Sequence, residues 1–365
     1  MAVHPISDAD SIKPPKTQTG VVGWMRQNLF NGVFNSVLTV VILFFLWKTV
    51  PPLIRWFFLD AVWTTGSEAC YAADGACWSA IYNNIRFILF GLYPHDLQWR
   101  PLAAIVLLVA LLVYSRDRRR WRRSLLWIWL TGLFVMGLLM KGGLFGLENV
   151  DTTLWSGLPL TLLLSVFGMV AAYPLGVVLA LGRRSRLPAI KSLCVVYIEM
   201  IRGVPLISLL FMSSVMFPLF LPEGLTINKI LRAQIAIIMF TAAYIAEVVR
   251  GGLQAIPRGQ YEAAESLGLG FPQKMRLVIL PQALKIVIPP TVGILVSAFK
   301  DTSLVVIIAL YDLLKTTQSV LSNPKWMGFS SEAYIFIALI YFICCFSMSD
   351  YSRKLERELG AGERR

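Results

Sequence analysis

An all-α polytopic membrane protein with about eight transmembrane helices is predicted from three observations. The composition is too apolar and too sparsely charged for a soluble domain, a series of apolar runs is long enough to span a bilayer, and the basic residues fall unevenly between those runs. The 365 residues are 56% hydrophobic and only 15% charged, with a mean hydropathy of +0.65. A soluble domain carries about 25% charged residues. The net charge of +13 would suggest nucleic acid in a soluble chain. In a membrane chain the placement of the charges says more than their sum.

A helix needs about 20 apolar residues to cross roughly 30 Å of hydrocarbon. The first run is 33–49 (VFNSVLTVVILFFLWKT). The second, 101–115 (PLAAIVLLVALLVYS), is short, and 124–140 (SLLWIWLTGLFVMGLLM) follows it. Four longer runs occupy 155–182, 192–221, 232–254 and 283–311, and the last is 333–349 (AYIFIALIYFICCFSMS). Pro174, Pro205, Pro289 and Pro290 fall inside these runs. Each removes a backbone hydrogen bond and favours a kink, to be read either as a moving hinge or as a static bend. No signal peptide is expected, because the first 30 or so residues are polar and the first apolar run is long enough to stay in the membrane.

Charge placement tests this count. With the N-terminus inside, segments 1–32, 116–123, 183–191, 250–282 and 350–365 hold 22 Lys and Arg, whereas 50–100, 141–154, 222–232 and 312–332 hold 8. RDRRRWRR (Arg116 to Arg123) and RRSRLPAIK (Arg183 to Lys191) both fall inside. This positive-inside asymmetry implies an even number of spans, with both termini cytoplasmic. A DNA-binding reading of the arginine run is disfavoured because apolar helices flank it, and no nucleic-acid partner is expected.

Of the five cysteines, Cys194, Cys344 and Cys345 lie in predicted helices and pack there. Cys70 and Cys77 lie in an external loop, SEACYAADGACW, and are read as a disulfide or as two free thiols; an oxidising exterior favours the former. No metal site is expected, since the only histidines are His4 and His95 and neither is near a CxxC. The sequence lacks a G-x-x-x-x-G-K-[ST] loop for nucleotide phosphates, an HExxH and a G-x-S-x-G. Catalysis by this chain is not expected, and a conduit or a scaffold is.

The organisation divides near residue 150. Residues 1–150 hold three spans and a long external loop whose aromatic stretch WSAIYNNIRFILFGLYPHDLQW is placed at the membrane surface. Residues 151–350 hold five spans, and 351–365 form a tail. An E-x-x-R-G echo recurs in EMIRGVP (199–205) and EVVRGGL (247–253). At i,i+3 spacing Glu199 and Arg202, and Glu247 and Arg250, can pair on one helix face, as structural ion pairs or as a gate. Lys300 and Asp301 sit about 17 residues into the seventh run, where a charge is costly without a partner. Together they offer both charge signs to a zwitterion, with Thr302 and Ser303 adding hydroxyls; pairing with a neighbouring subunit is the other reading.

Between two spans lies the polar stretch YEAAESLGLGFPQKMRLVILPQA (261–283). Gln260 to Leu267 is rich in helix formers, Gly268 and Gly270 bracket a turn, and Pro272 suits the first turn of a second helix that is expected to stop at Pro281. The product is an amphipathic elbow with small residues that another protein can approach closely.

EAA, three residues, Gly, nine residues and then Val-Ile-Leu-Pro resembles the EAA loop of bacterial ABC importer membrane subunits. The matching residues are Glu262, Ala263, Ala264, Gly268, Val278, Leu280 and Pro281, with Ser266 and Leu267 between them; valine at 278 stands for the usual isoleucine. GLPLTLLLS (157–165), YIEMIRGVPLISLLF (197–211), AYIAEVVRGGLQAIPRGQYEAA (243–264), LPQALKIVIPP (280–290) and KDTSL (300–304) are similar to the polar-amino-acid permease family. The resemblance covers about 150–350. The three preceding spans resemble the extension found in the M-type or C-type general L-amino-acid permease subunits of Gram-negative bacteria.

The resemblance implies a five-helix type I ABC importer core with a coupling loop at 258–282, in a multi-pass protein of the bacterial inner membrane. It implies a second homologous permease subunit, two copies of a cytoplasmic ABC ATPase, a periplasmic amino-acid-binding protein and an amino-acid substrate. No cofactor is expected on this chain; ATP and Mg would be used by the partner ATPase. A non-transporting scaffold or regulatory subunit, or an importer of another small polar solute, is the alternative.

Overall fold

The apolar runs fold as helices because hydrocarbon offers their backbone groups no other hydrogen-bond partner. The computed structural model describes residues 20–224 and 226–360. The polar stretch 1–19 and the end of the tail, 361–365, lie outside the described residues. Two compact units divide the chain at Ser79 and Ala80.

The first unit contains α1 (Gly20–Asn28), α2 (Val33–Ile54), which runs on as a wider π-turn to Leu59, and the short α3 (Ser67–Ala72). No residue of α2 is buried against the protein. A helix apolar on every side suits surroundings of hydrocarbon. Cys70 and Cys77 are disulfide-bonded. Beside them the Trp78 indole donates to Phe57 O at 2.9 Å, and the Phe57 and Trp78 ring centroids lie 4.6 Å apart.

The second unit begins with α4 (Ser79–Phe90), α5 (Trp99–Ser115) and α6 (Arg123–Lys141). The short 101–115 run proves long enough, because a turn from His95 leads into α5 and gives 21 helical residues. Arg100 is tolerated there because its guanidinium donates to Glu148 O at 2.7 Å. The aromatic stretch at α4 does not simply lie on a surface. Ile88 and Phe90 are buried, and Phe90 joins Leu108, Met136 and Leu160 in one core.

Next come α7 (Gly157–Arg183), α8 (Pro188–Gly203), α9 (Leu206–Phe211) and α10 (Lys229–Ala255). The predicted 192–221 span is not one straight helix: α8 and the helical stretch from Leu206 to Phe220 meet at 104°. Val204 is extended (φ −112, ψ 133), as a residue before proline prefers, and Pro205 has no N–H to continue the ladder. The pair nevertheless makes one crossing. Gln234 of α10 donates to Leu164 O of α7 at 3.2 Å. Farther along both helices, Gly176 lets Ile245 approach so closely that an added Cβ would sit 2.7 Å from it. The two helices are therefore parallel, and the segment between them must return across the membrane. With the seven unbroken candidate spans, this gives eight among the described residues.

The last helices are α11 (Arg258–Ser266), α12 (Phe271–Lys274), α13 (Leu280–Asp301), α14 (Leu313–Leu321) and α15 (Ser330–Gly360). Pro281 does not stop the second elbow helix as expected. A π-turn over Met275–Ile279 joins α12 to α13, with Leu280 N–H bonded to Met275 O. The wider turn makes room for the Pro281 ring, and the missing N–H falls in the first turn of α13. Toward its far end the predicted 283–311 helix tightens at Thr302–Ile308 into a 3₁₀ segment, which closes on left-handed Ala309 (φ 53).

Two cores stack along α7 and α10. One gathers Leu108, Met136, Leu160, Leu164, Ile230 and Ile237 near their starts. The other gathers Ala180, Ile198, Val249, Ile256, Met275 and Ile279 near their ends. Asp312 caps α14, accepting from Lys315 N at 2.9 Å and Leu314 N at 3.2 Å. Burial pushes its carboxyl up to about 6. The folded state then holds a proton more tightly than the unfolded one, so this group's contribution to stability falls as pH rises from about 4 to about 6. Asp312→Asn keeps a capping oxygen and should flatten the melting temperature over that window, which thermal scans at stepped pH would check.

Candidate functional site

The elbow is fixed by contacts at several points. Leu267 closes α11, and Gly268 turns with φ +74, its N–H bonded to Glu265 O at 2.9 Å. This left-handed position suits glycine. Ala264 is buried whereas Glu262, Ala263, Ser266 and Leu267 are exposed, Leu267 by 79%. Leu280 is half-buried and Pro281 exposed. Lys274 pairs with Glu265 across the turn, and this ammonium holds the Glu265 carboxyl below the usual carboxylate range. Gln282 bonds Gln260 at 3.0 Å. Arg184 reaches from the α7–α8 turn to Tyr261 Oη (2.9 Å) and Leu253 O (3.1 Å), and Tyr261 itself donates to Leu253 O at 2.9 Å. Arg184, Tyr261 and Lys274 were not among the residues singled out from sequence. In the sequence Arg184 is one of several basic residues in a turn, and the tyrosine beside the EAA triplet is its one hint of a partner.

At the same end of the bundle lies an ion network. Glu247 accepts from Arg183 at 3.2 Å, from Arg202 at 3.1 Å and from Arg250. The intrahelical pair of Glu247 with Arg250 forms, but Glu199 pairs with Arg183 at 2.8 Å and Arg202 crosses from α8 to α10. Five charged groups thus tie α7, α8 and α10 together. The Arg202 guanidinium also lies over the Tyr244 ring, 5.5 Å from its centroid.

Lys300 and Asp301, adjacent in sequence, line two different cavities. Asp301 lines one of about 410 Å³ between α10 and α13, with Thr241, Tyr244, Ser297 and Gly293. Lys300 and Ser303 line another of about 520 Å³ against α15, with Tyr334, Tyr341 and Cys345. Thr302 is fully buried and donates to Phe299 O at 2.7 Å. A helical turn of about 100° per residue separates neighbours in this way, so the two charges do not face one ligand. Tyr244 joins the Asp301 cavity to the ion network through Arg202.

The family described as "Binding-protein-dependent transport system inner membrane component" matches residues 172–359, which hold the elbow, the ion network and both cavities. The chain belongs to this family. It is a multi-pass inner-membrane component. The permease is 49% identical to the inner membrane amino-acid ABC transporter permease protein YhdY of Escherichia coli, over 93% of each chain. It is 40% identical to the glutamate/glutamine/aspartate/asparagine transport system permease protein BztC of Rhodobacter capsulatus, over 94% of this chain and 95% of that one. A crystal structure of an amino acid ABC transporter with histidines matches the permease at TM-score 0.50 and 33% identity, covering 55% of this chain and 92% of that chain.

Proposed function

We propose that this permease is half of the translocation path of an ATP-driven, binding-protein-dependent amino-acid importer, and that its elbow at 258–282 docks a cytoplasmic ABC ATPase. The observation that carries the reading is the elbow itself. An otherwise apolar bundle presents a braced turn whose exposed residues include Ala263, Leu267 (79%) and Leu277 (64%), apolar side chains that a cytoplasmic partner would cover. Two ATPase copies, a second homologous permease and a periplasmic amino-acid-binding protein complete the assembly. ATP and Mg belong to the ATPase. An even number of spans and the arginine-rich turns support a cytoplasmic side for both termini.

The Asp301 cavity is the segment of the path that this chain contributes. It offers a carboxylate to a substrate ammonium and the Thr241, Tyr244 and Ser297 hydroxyls to the remaining polar atoms. The Glu247 network closes the cytoplasmic end beneath Tyr244. ATP-driven closure of the ATPases moves the elbow, and Arg184 and Tyr261 pass that motion to the α7–α8 turn, whose Arg183 belongs to the network. Asp301→Asn should lower uptake into proteoliposomes at least about tenfold with the ATPase still co-purifying, since a charge-assisted hydrogen bond contributes about 1.5–3 kcal/mol. Uptake at the parent rate would remove this cavity from the path.

A further inference from the structure

The turn between α5 and α6 holds a feature that transport does not use. Six of the eight residues from Arg116 to Arg123 are arginine, and their local acids are already engaged. Asp117 pairs with Arg120 at 3.6 Å and accepts from Arg119 N at 3.0 Å, while Arg116 pairs with Asp350 of α15 at 3.1 Å. Arg119, Arg122 and Arg123 are exposed and have no carboxylate within 4.0 Å among the described residues. Helix stability does not explain them. Arg122 and Arg123 open α6, where cations oppose the helix dipole.

Aromatic side chains mark the depth of the turn. The indoles of Trp121 and Trp129 both donate to Ser115, at 2.9 and 2.8 Å, and Tyr351 Oη lies 3.5 Å from Ser115 O. Amphipathic rings collected at one level are the mark of a membrane–water interface. Immediately below, Val113 (66%), Leu126 (63%) and Trp127 (68%) are exposed and require hydrocarbon. The free guanidinium groups therefore stand at the level of lipid phosphates.

We propose that this turn is a binding surface for anionic phospholipid headgroups, with Arg119, Arg122 and Arg123 holding phosphate and Trp121 and Trp127 lying against the acyl chains. Guanidinium groups pair bidentately with phosphate oxygens. A soluble protein partner would have no use for the exposed apolar side chains directly beneath. Because Arg116 joins this turn to α15, the bound lipid lies where α5 and α6 meet the C-terminal helix of the family core. The inference needs only that the turn lies at a membrane surface, so it stands apart from the importer reading and from the sidedness of the termini.

The test is lipid retention. The full-length chain, with whatever subunits accompany it, is reconstituted in equimolar phosphatidylglycerol and phosphatidylcholine and re-extracted in mild detergent; the retained lipid is then quantified by mass spectrometry. The parent should retain phosphatidylglycerol preferentially. The combined Arg119→Gln, Arg122→Gln and Arg123→Gln variant should lose that preference about tenfold or more, since each arginine contributes about fivefold at an anionic surface. The corresponding lysine variant should keep most of it. Unchanged preference in the glutamine variant overturns the proposal, as does loss of a co-purifying subunit with lipid retention unaltered. If the glutamine variant fails to run as a single species in gel filtration, the parent alone decides: the preference must fall as salt is raised, and a salt-independent preference overturns the proposal.

Discussion

Gly268→Val should abolish most ATP-coupled uptake, by at least about tenfold, while the chain still inserts and ATP hydrolysis in the reconstituted complex continues. The backbone at 268 is left-handed, with φ +74. A Cβ there would meet nothing within 4 Å in this chain, so no clash within the permease contributes. Within the permease the effect comes from backbone strain, about 1–2 kcal/mol for an ordinary residue and more for a β-branched one. The turn relieves that strain by opening, which re-aims α11 against α12 and stresses the pair of Lys274 with Glu265. Asparagine tolerates the left-handed region, so Gly268→Asn should retain most uptake. Parallel uptake and hydrolysis assays in proteoliposomes separate the outcomes. Valine with parent uptake would remove the elbow from the coupling machinery.

Glu247→Ala should cost more stability than any other single change in the ion network. Its side chain is 17% exposed and faces three arginines; removing it leaves Arg183, Arg202 and Arg250 repelling one another. Breaking a fully buried pair costs about 3–5 kcal/mol. The arginine side chains are 22–34% exposed, so about 2 kcal/mol is expected after screening, or roughly 2–4 °C in melting temperature for a chain of this length. Glu199 has only Arg183 and is 54% exposed, so Glu199→Ala should cost no more than about 1 kcal/mol. Thermal scans of both variants in one detergent decide the ranking. Equal losses would mean that Glu247 is not the hub.

Much of this was legible in the sequence because the signals are local. Most apolar runs were located within a few residues, since hydrocarbon requires each span to be long and apolar in its own right, but the first helix runs on past 49 to Ile54 and the last past 349 to Gly360. The EAA spacing marked the elbow, and Gly268 marked its turn. What was missed depends on contacts between residues far apart in the chain. Helical spacing suggested that Glu199 pairs with Arg202; the fold gives Glu199 to Arg183 and Arg202 to Glu247, because α7 and α8 meet α10 at that end. Lys300 and Asp301 read as one site because they are neighbours in sequence, yet one residue of helical rotation sends them to different cavities. Pro281 read as a stop because a lone proline cannot reveal that a π-turn has made room for it.

The sequence by itself determined a membrane class, the approximate limits of most spans and an uneven clustering of the basic residues between them, and its elbow motif resembles that of the family. Each of these follows from composition, periodicity or a short motif. Only the tertiary structure decided that 192–221 bends by 104° yet still crosses, since that rests on α7 and α10 being parallel. It alone bolted Arg184 to Tyr261 and placed Glu247 among three arginines. Charge partners inside a bundle are chosen by which helix ends meet, and no single segment of sequence holds that information.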